Sequence, residues 1–241
     1  MKTRPTQQIL TLIAIALTFG SGAADVASFT RLGDVFTSVM TGNIVLWGLA
    51  VARGSLTLAS HTAVSIGGYI AGVAAGTWIA RWARETSSDR EGVLPSHVIW
   101  VLLGELTLLA GFAVGWEVSG SSPAGWAQFG LLATLAAAMG VQSSAVNDMG
   151  LTQVSTTYLT GTLTGLVSSL ASPGQDTPQG LRRFGVLIGL VAGASLCGLF
   201  VATAADAVPA LPLAALVSTL VLATGPDGRN GHDDTEKGHP S

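Results

Sequence analysis

Long runs of residues without a charged side chain occupy most of this sequence. A helix of about 20 mainly apolar residues is long enough to cross the hydrocarbon core of a bilayer. The runs lack the polar stripe that a soluble amphipathic helix shows every three or four positions. They cover residues 5–24, 54–80, 118–147, 149–175, 184–205 and 207–226. The pattern therefore predicts an all-α, polytopic transmembrane protein.

Six of the predicted helices are long enough to span, and two further apolar segments are shorter. The predicted spans are residues 8–27, 58–80, 96–116, 124–146, 184–205 and 207–222. The short segments, 35–51 and 154–171, are rich in Thr, Ser and Gly, so each could cross the membrane or re-enter on one face. Residues 224–241 have almost no apolar side chain to bury and are predicted to be a disordered polar tail. Residues 1–223 are then a single transmembrane domain.

The two short segments resemble each other without gaps. VFTSVMTGNI, starting at residue 35, aligns on VSTTYLTGTL, starting at residue 154, an offset of 119 residues. Glycines also recur at every fourth position in both halves, which equally serves close helix packing. These are Gly68, Gly72 and Gly76 in the first half and Gly185, Gly189 and Gly193 in the second. The matches predict a two-fold internal repeat, with copies at about 7–117 and 123–223.

The positions of Lys and Arg favour six spans over eight. With eight spans and a cytoplasmic N-terminus, seven basic residues would lie inside and four outside. If both short segments re-enter, nine lie inside and only Arg31 and Arg53 lie outside, which fits the excess of basic residues in cytoplasmic loops. Both termini are then cytoplasmic. Three spans per repeat would also invert the second repeat relative to the first, as in many secondary transporters.

Polar residues inside the apolar segments are the candidate binding residues. Non-helical backbone at membrane depth survives only when it is buried in protein or lines a wet cavity. If the two Thr-Gly segments meet near the midplane, their helix N-termini would attract a small polar or anionic solute. The substrate-binding candidates are Asp25, Thr41, Gly42, Asn43, Gln142, Thr160, Gly161 and Thr162. Tight helix packing explains the Thr and Gly residues equally well, and Asp25 either caps neighbouring backbone or faces a cavity.

One isolated acid, Glu105, lies near the middle of the predicted span 96–116. Such a residue costs about 2.5–3.5 kcal/mol on insertion scales, so it needs a partner or a proton. Because desolvation disfavours the charged form of a carboxyl group, Glu105 is the candidate for proton coupling. A protonated Glu that is hydrogen-bonded between helices is the structural alternative.

Catalytic, metal-binding and nucleic-acid-binding signatures are missing from the sequence. It has no HExxH, CxxC, GxSxG or GxxxxGK motif, its four histidines lack metal-ligand spacing, and no basic block occurs. We therefore predict a bilayer-embedded protein that is not an enzyme and that uses no metal, cofactor or nucleic acid. The hypotheses are a small-solute transporter or permease, a membrane scaffold that binds a partner and, third, a membrane-embedded enzyme. A homo-oligomer is compatible with each.

Residues 22–54 and 140–171 resemble the bacterial YoaK family, also called DUF1275. The most specific likenesses are an Asp near the end of the first span, Phe-x-x-x-x-Thr-Gly-Asn, and a later Gly-x-Gln followed by Thr-Thr-x-x-Thr-Gly-Thr. They fall on Asp25, Phe36, Thr41, Gly42, Asn43, Gln142, Thr156, Thr157, Thr160, Gly161 and Thr162. Ser143 stands where the family usually has Asn, so no role is carried over there. The resemblance implies a multi-pass bacterial inner-membrane protein of six spans, and it implies no substrate or reaction.

Overall fold

The computed structural model describes residues 4–86, 92–149, 159–171 and 177–224, and this part of the chain is built from helices. The helices are α1 Arg4–Arg31, α2 Met40–Arg53, α3 Leu56–Thr86, α4 Ser96–Val118, α5 Gly125–Asp148, α6 Leu159–Ala171, α7 Thr177–Thr203 and α8 Ala210–Thr224. A 3-10 turn, Ala205–Ala207, precedes α8. The all-α fold is confirmed. The predicted polar tail lies almost entirely outside the described residues.

Six of the described helices are long and apolar enough to cross a membrane, and they are the six predicted spans. α3 extends past its predicted end at residue 80 to Thr86, because a helix continues beyond the hydrocarbon once polar residues can be solvated. α2 and α6 have only 14 and 13 residues and coincide with the two Thr-Gly segments. At about 1.5 Å per residue, neither reaches across the roughly 30 Å core.

Both neighbours of α2 lie at the same end of the bundle. The Gln128 side chain joins the Arg31 carbonyl, at the end of α1, to the His61 ring, in the second turn of α3. The chain therefore leaves α1 and enters α3 at one end, which we call the Arg31 end. The chain between α1 and α3, which contains α2, leaves this end and returns to it. This segment therefore re-enters rather than spans.

α6 belongs to the opposite end. α5 finishes at Asp148, which pairs with Arg84 at the end of α3 at 2.9 Å. α7 starts beside the beginning of α1, where Arg182 donates a hydrogen bond to the Gln7 carbonyl at 2.7 Å. We call this the Gln7 end. The chain leaves α5 and enters α7 there, so the two short helices lie between spans at opposite ends of the bundle.

Glycines bring two helix pairs into close contact, α3 with α5 and α1 with α7. Gly72 faces the carbonyl of Ala137, and Gly140 faces the carbonyl of Tyr69, so a methyl group at either glycine would overlap backbone. In the second pair, Gly193 faces the carbonyl of Phe19 and Gly22 faces that of Leu190. Close approach gains van der Waals contact, which drives helix association in lipid. The internal repeat itself stays a prediction.

Candidate functional site

A three-residue segment before α2, residues 36–38, is held inside the bundle by polar side chains from three helices; we call it the re-entrant turn. Asp25 of α1 supplies the first. Its Oδ1 accepts hydrogen bonds from the backbone N–H of Thr37 and of Ser38, both at 2.8 Å, and from the Thr37 hydroxyl at 3.3 Å. Its Oδ2 accepts one from the Ser38 hydroxyl at 2.5 Å. Of the two predicted roles of Asp25, capping of neighbouring backbone describes these contacts.

The other two side chains, Asn43 and Ser65, bind the first residue of the turn. Asn43 accepts a hydrogen bond from the Phe36 N–H at 2.9 Å and donates one to the Phe36 carbonyl at 2.6 Å, which closes a small ring at the start of α2. Ser65 of α3 donates to the same carbonyl at 2.5 Å and accepts from Asn43 at 3.0 Å. Asn43 and Ser65 are fully buried. Backbone that has left helical geometry is therefore satisfied by protein, as its depth in the membrane requires.

The depth of this turn follows from its partners. Asp25 lies six residues before the end of α1, about 9 Å along the helix axis, and Ser65 lies nine residues into α3, about 13 Å. α2 therefore begins inside the bundle and runs back to Arg53 at the Arg31 end. Its first turn exposes Thr41, whereas Gly42 lies against the Phe36 ring, 3.3 Å from where a Cβ would stand.

The second Thr-Gly segment has a different environment in its described part. Thr160 and Gly161, in the first turn of α6, are exposed, and Thr162 is buried. A Cβ at Gly161 would meet no other atom within 4 Å. The family positions Thr156 and Thr157 lie outside the described residues.

The expected meeting of the two Thr-Gly helices is not seen in the described chain. α2 packs on α3, and α6 packs on α7, where Arg183 donates a hydrogen bond to the Gly165 carbonyl at 2.9 Å. α2 and α6 form no packing interface between their described residues. A single pocket made by both helices is therefore not supported, because each short helix lies on the neighbour that follows it in the chain.

Gln142 connects α5 to α1 deep in the bundle. Its Oε1 accepts a hydrogen bond from the Ser21 hydroxyl at 2.8 Å, and its Nε2 donates to the Leu17 carbonyl at 3.2 Å. Ser21 is fully buried and Gln142 is 2% exposed. Asp25 lies one helical turn after Ser21, so the two sequence candidates Asp25 and Gln142 act on the same face of α1.

Glu105 is the candidate residue with a buried side-chain oxygen that lacks a hydrogen-bond partner in the described part of the chain. It is 1% exposed, in the middle of α4, and its Oε2 has no hydrogen-bond partner among the described residues. The choice between proton coupling and a protonated Glu that is hydrogen-bonded between helices stays a prediction, and the unpartnered Oε2 is the observation that bears on it. An open, buried acceptor can take a proton or a hydrogen-bond donor from a solute.

Several polar partners escaped prediction from the sequence, namely Ser21, Thr37, Ser38 and Ser65. One signal was available in α1, where the buried polar residues Thr18, Ser21, Asp25 and Ser28 are spaced three, four and three apart. That spacing places them along one helix face. No comparable signal marks Ser65, since its role depends on where the re-entrant turn lies.

Comparisons with known proteins agree with this architecture. The family model described as "Protein of unknown function (DUF1275)" matches residues 13–224. The chain is also 32% identical, over 161 residues, to the UPF0700 transmembrane protein YoaK of Bacillus subtilis (strain 168), and the match covers 67% of each protein. No solved structure matches the chain. The family match, the related transmembrane protein and the six apolar spans identify this chain as an integral membrane protein of the YoaK/DUF1275 family.

Proposed function

We propose that this protein is a small-solute transporter in which Glu105 carries the coupling proton. The observation that supports the proposal best is the open Oε2 of Glu105, buried in the middle of a membrane span. An intramembrane acid at the centre of a span costs about 2.5–3.5 kcal/mol, and such residues commonly mark proton or substrate pathways. A purely structural acid would be expected to use both oxygens.

The re-entrant turn adds a second, weaker support. Short helices that begin inside the membrane are common in secondary transporters, where their ends face the substrate. Here the turn is bound by Asp25, Asn43 and Ser65, so hydrogen bonds join the start of α2 to both α1 and α3. In this proposal these three are positioning residues. The protein performs no catalytic step.

The proposed orientation follows the distribution of basic residues. Arg84, Arg182 and Arg183 lie at the Gln7 end, whereas Arg31 and Arg53 lie at the other. Because cytoplasmic loops are enriched in Lys and Arg, we propose that the Gln7 end, with both described chain termini, faces the cytoplasm of a bacterial inner membrane.

Flux through proteoliposomes tests the function. Vesicles containing the purified protein and an internal pH dye are exposed to a panel of small polar solutes, and entry with protons is read as a change in dye signal. Glu105→Gln should abolish the signal. The matched control is Glu117→Gln on the same helix, because Glu117 is exposed at the end of α4 and should leave the flux unchanged. Equal flux in wild type and Glu105→Gln would disprove the role of Glu105.

A further inference from the structure

The eight helices form two groups, each packed most extensively within itself. The first body contains α2, α3, α4 and α5, which are consecutive in the chain, and the second body contains α1, α6, α7 and α8. The two bodies meet where α1 contacts α5 and where α4 contacts α8, along a boundary that we call the seam.

Packing inside the bodies differs in kind from packing across the seam. The pairs α3/α5 and α1/α7 are each joined by glycines that face the backbone of the partner helix, such as Gly72 against Ala137 and Gly193 against Phe19. These contacts leave no room for a methyl group, so the pairs cannot slide without losing them. The helix pairs that meet at the seam, α1/α5 and α4/α8, pack less extensively than α3/α5 and α1/α7. In its buried part the seam is bridged by a hydrogen bond between polar side chains.

Polar side chains lie on or near the seam inside the membrane. The Ser21 to Gln142 hydrogen bond crosses from α1 to α5 at 2.8 Å. Asp25 crosses from α1 to the turn before α2. Glu105 lies eleven residues before Trp116, three turns along the same face of α4, and the Trp116 indole N–H donates to the Ala205 carbonyl just before α8 at 3.0 Å. Glu105 therefore lies on the same side of α4 as Trp116, whose indole reaches the second body at the end of the helix.

The re-entrant turn is bound to both bodies. Phe36 is bound to the first body by Asn43 and Ser65, whereas Thr37 and Ser38 are bound to the second body by Asp25. Each side of the peptide between Phe36 and Thr37 is therefore fixed to a different body. A small rotation of one body against the other is then absorbed on both sides of Thr37 and Ser38, at the Phe36–Thr37 peptide and at Val39 before α2.

We propose that the seam is the solute pathway, that it opens when the two bodies separate, and that it favours small cationic or neutral hydrogen-bond donors over anions. This inference rests on the proposed transport function. The start of α2 is not free for an anion, because the carboxyl group of Asp25 already occupies the N–H groups of Thr37 and Ser38. Asp25, which crosses the seam, and Glu105, on the side of α4 that reaches the second body at Trp116, are both acids, and acids attract cations and protons.

Thiol accessibility tests the opening of the seam with one conservative change at two buried positions. Ser21→Cys places a thiol on the seam, and Ser144→Cys places one between α3 and α5 inside the first body, against Gly76. Ser21 is 0% and Ser144 8% exposed, and Cys197 is replaced by Ala in both variants. A small membrane-impermeant methanethiosulfonate in native vesicles should label Ser21→Cys and leave Ser144→Cys unlabelled, although Ser144 lies nearer to a helix end. Labelling in SDS confirms that both thiols are present.

The charge preference is read from the same variant. Rates for a cationic and an anionic methanethiosulfonate are each divided by their rates at exposed Thr30→Cys, which removes the intrinsic reactivity of the reagents. The cationic reagent should retain the larger relative rate at Ser21→Cys. Equal relative rates, or a faster anionic reagent, would overturn the preference for cations.

The experiments distinguish an error in the proposed pathway from an error in the proposed transport function. If Ser21→Cys stays unlabelled in vesicles that carry out solute flux, the seam is not the pathway and the transport function stands. If Ser21→Cys is labelled and Ser144→Cys is not, yet no solute of the panel moves, the seam opens and the transport function is overturned. Flux that continues after a Ser21→Cys/Gln142→Cys pair has been cross-linked would also overturn the pathway.

Discussion

Asp25 receives two hydrogen bonds from Ser38, one from the backbone N–H at 2.8 Å and one from the hydroxyl at 2.5 Å. The two residues lie thirteen positions apart, one in a membrane span and one in the turn that precedes the next short helix. Four donors converge on the Asp25 carboxyl group when Thr37 is included. This explains how an acid is retained inside the bundle, since a buried polar group is tolerated when its hydrogen bonds are made.

Removal of the Asp25 carboxyl group should destabilise the fold. Asp25→Ala leaves the N–H groups of Thr37 and Ser38 without an acceptor, and a buried polar group left unpaired costs about 1–3 kcal/mol. We expect a lower unfolding temperature of the purified protein in detergent, measured by intrinsic tryptophan fluorescence. Asp25→Asn keeps one acceptor oxygen and should lose less. If Asp25→Ala unfolds at the wild-type temperature, the contacts do not stabilise the turn.

The sequence predicted the spans because their signal is local and strong. Charge-free runs of about 20 residues need no knowledge of tertiary contacts. Re-entry of the short segments was favoured because it places Arg81, Arg84 and Arg90 on the cytoplasmic side. Asp25, Asn43 and Gln142 were identified as buried polar residues, but their partners were not. Phe36 and Ser65 are separated by 29 positions, and Ser21 and Gln142 by 121. Such pairings depend on how the helices pack, which periodicity does not specify.

The glycine contacts predict a position-specific effect of one methyl group on α3. Gly72→Ala should destabilise the α3/α5 pair, because the added Cβ overlaps the Ala137 carbonyl, and overpacking costs about 1–3 kcal/mol. Gly67→Ala on the same helix is the control, since a Cβ there meets no atom within 4 Å. Thermal unfolding of both variants in detergent measures the difference. Helix propensity alone would stabilise both variants, so equal changes in unfolding temperature would show that the close contact at Gly72 does not determine the effect.

The re-entry of the first Thr-Gly segment predicts which positions share a face of the membrane. In a Cys197→Ala background, Thr30→Cys beside Arg31 and Ala52→Cys beside Arg53 should react with an impermeant maleimide from the same side. Glu85→Cys, at the other end of α3, should react from the opposite side. All three positions are exposed at helix ends. Reaction of Thr30→Cys and Ala52→Cys from opposite sides would mean that residues 35–51 cross the membrane and that the topology is wrong.

Two Leu substitutions separate a structural buried polar group from a functional one. Gln142→Leu removes both of its bonds to α1, with Ser21 and with the Leu17 carbonyl, so it should lower stability by about 1–3 kcal/mol. Glu105→Leu removes a buried acid whose Oε2 has no partner among the described residues, and an apolar replacement of such a group is neutral or stabilising. Unfolding temperatures in detergent provide the comparison.

The two substitutions are expected to change stability in opposite directions, which distinguishes a structural role of Glu105 from a functional one. If Glu105 stabilises this fold through packing, Glu105→Leu must lower the unfolding temperature as Gln142→Leu does, because bonds or contacts would be lost in both. If Glu105→Leu keeps or raises the unfolding temperature while solute flux disappears, the acid contributes to function at no benefit to the fold. A functional acid in a span is expected to give this result, because its burial costs free energy and its Oε2 forms no hydrogen bond with the described residues.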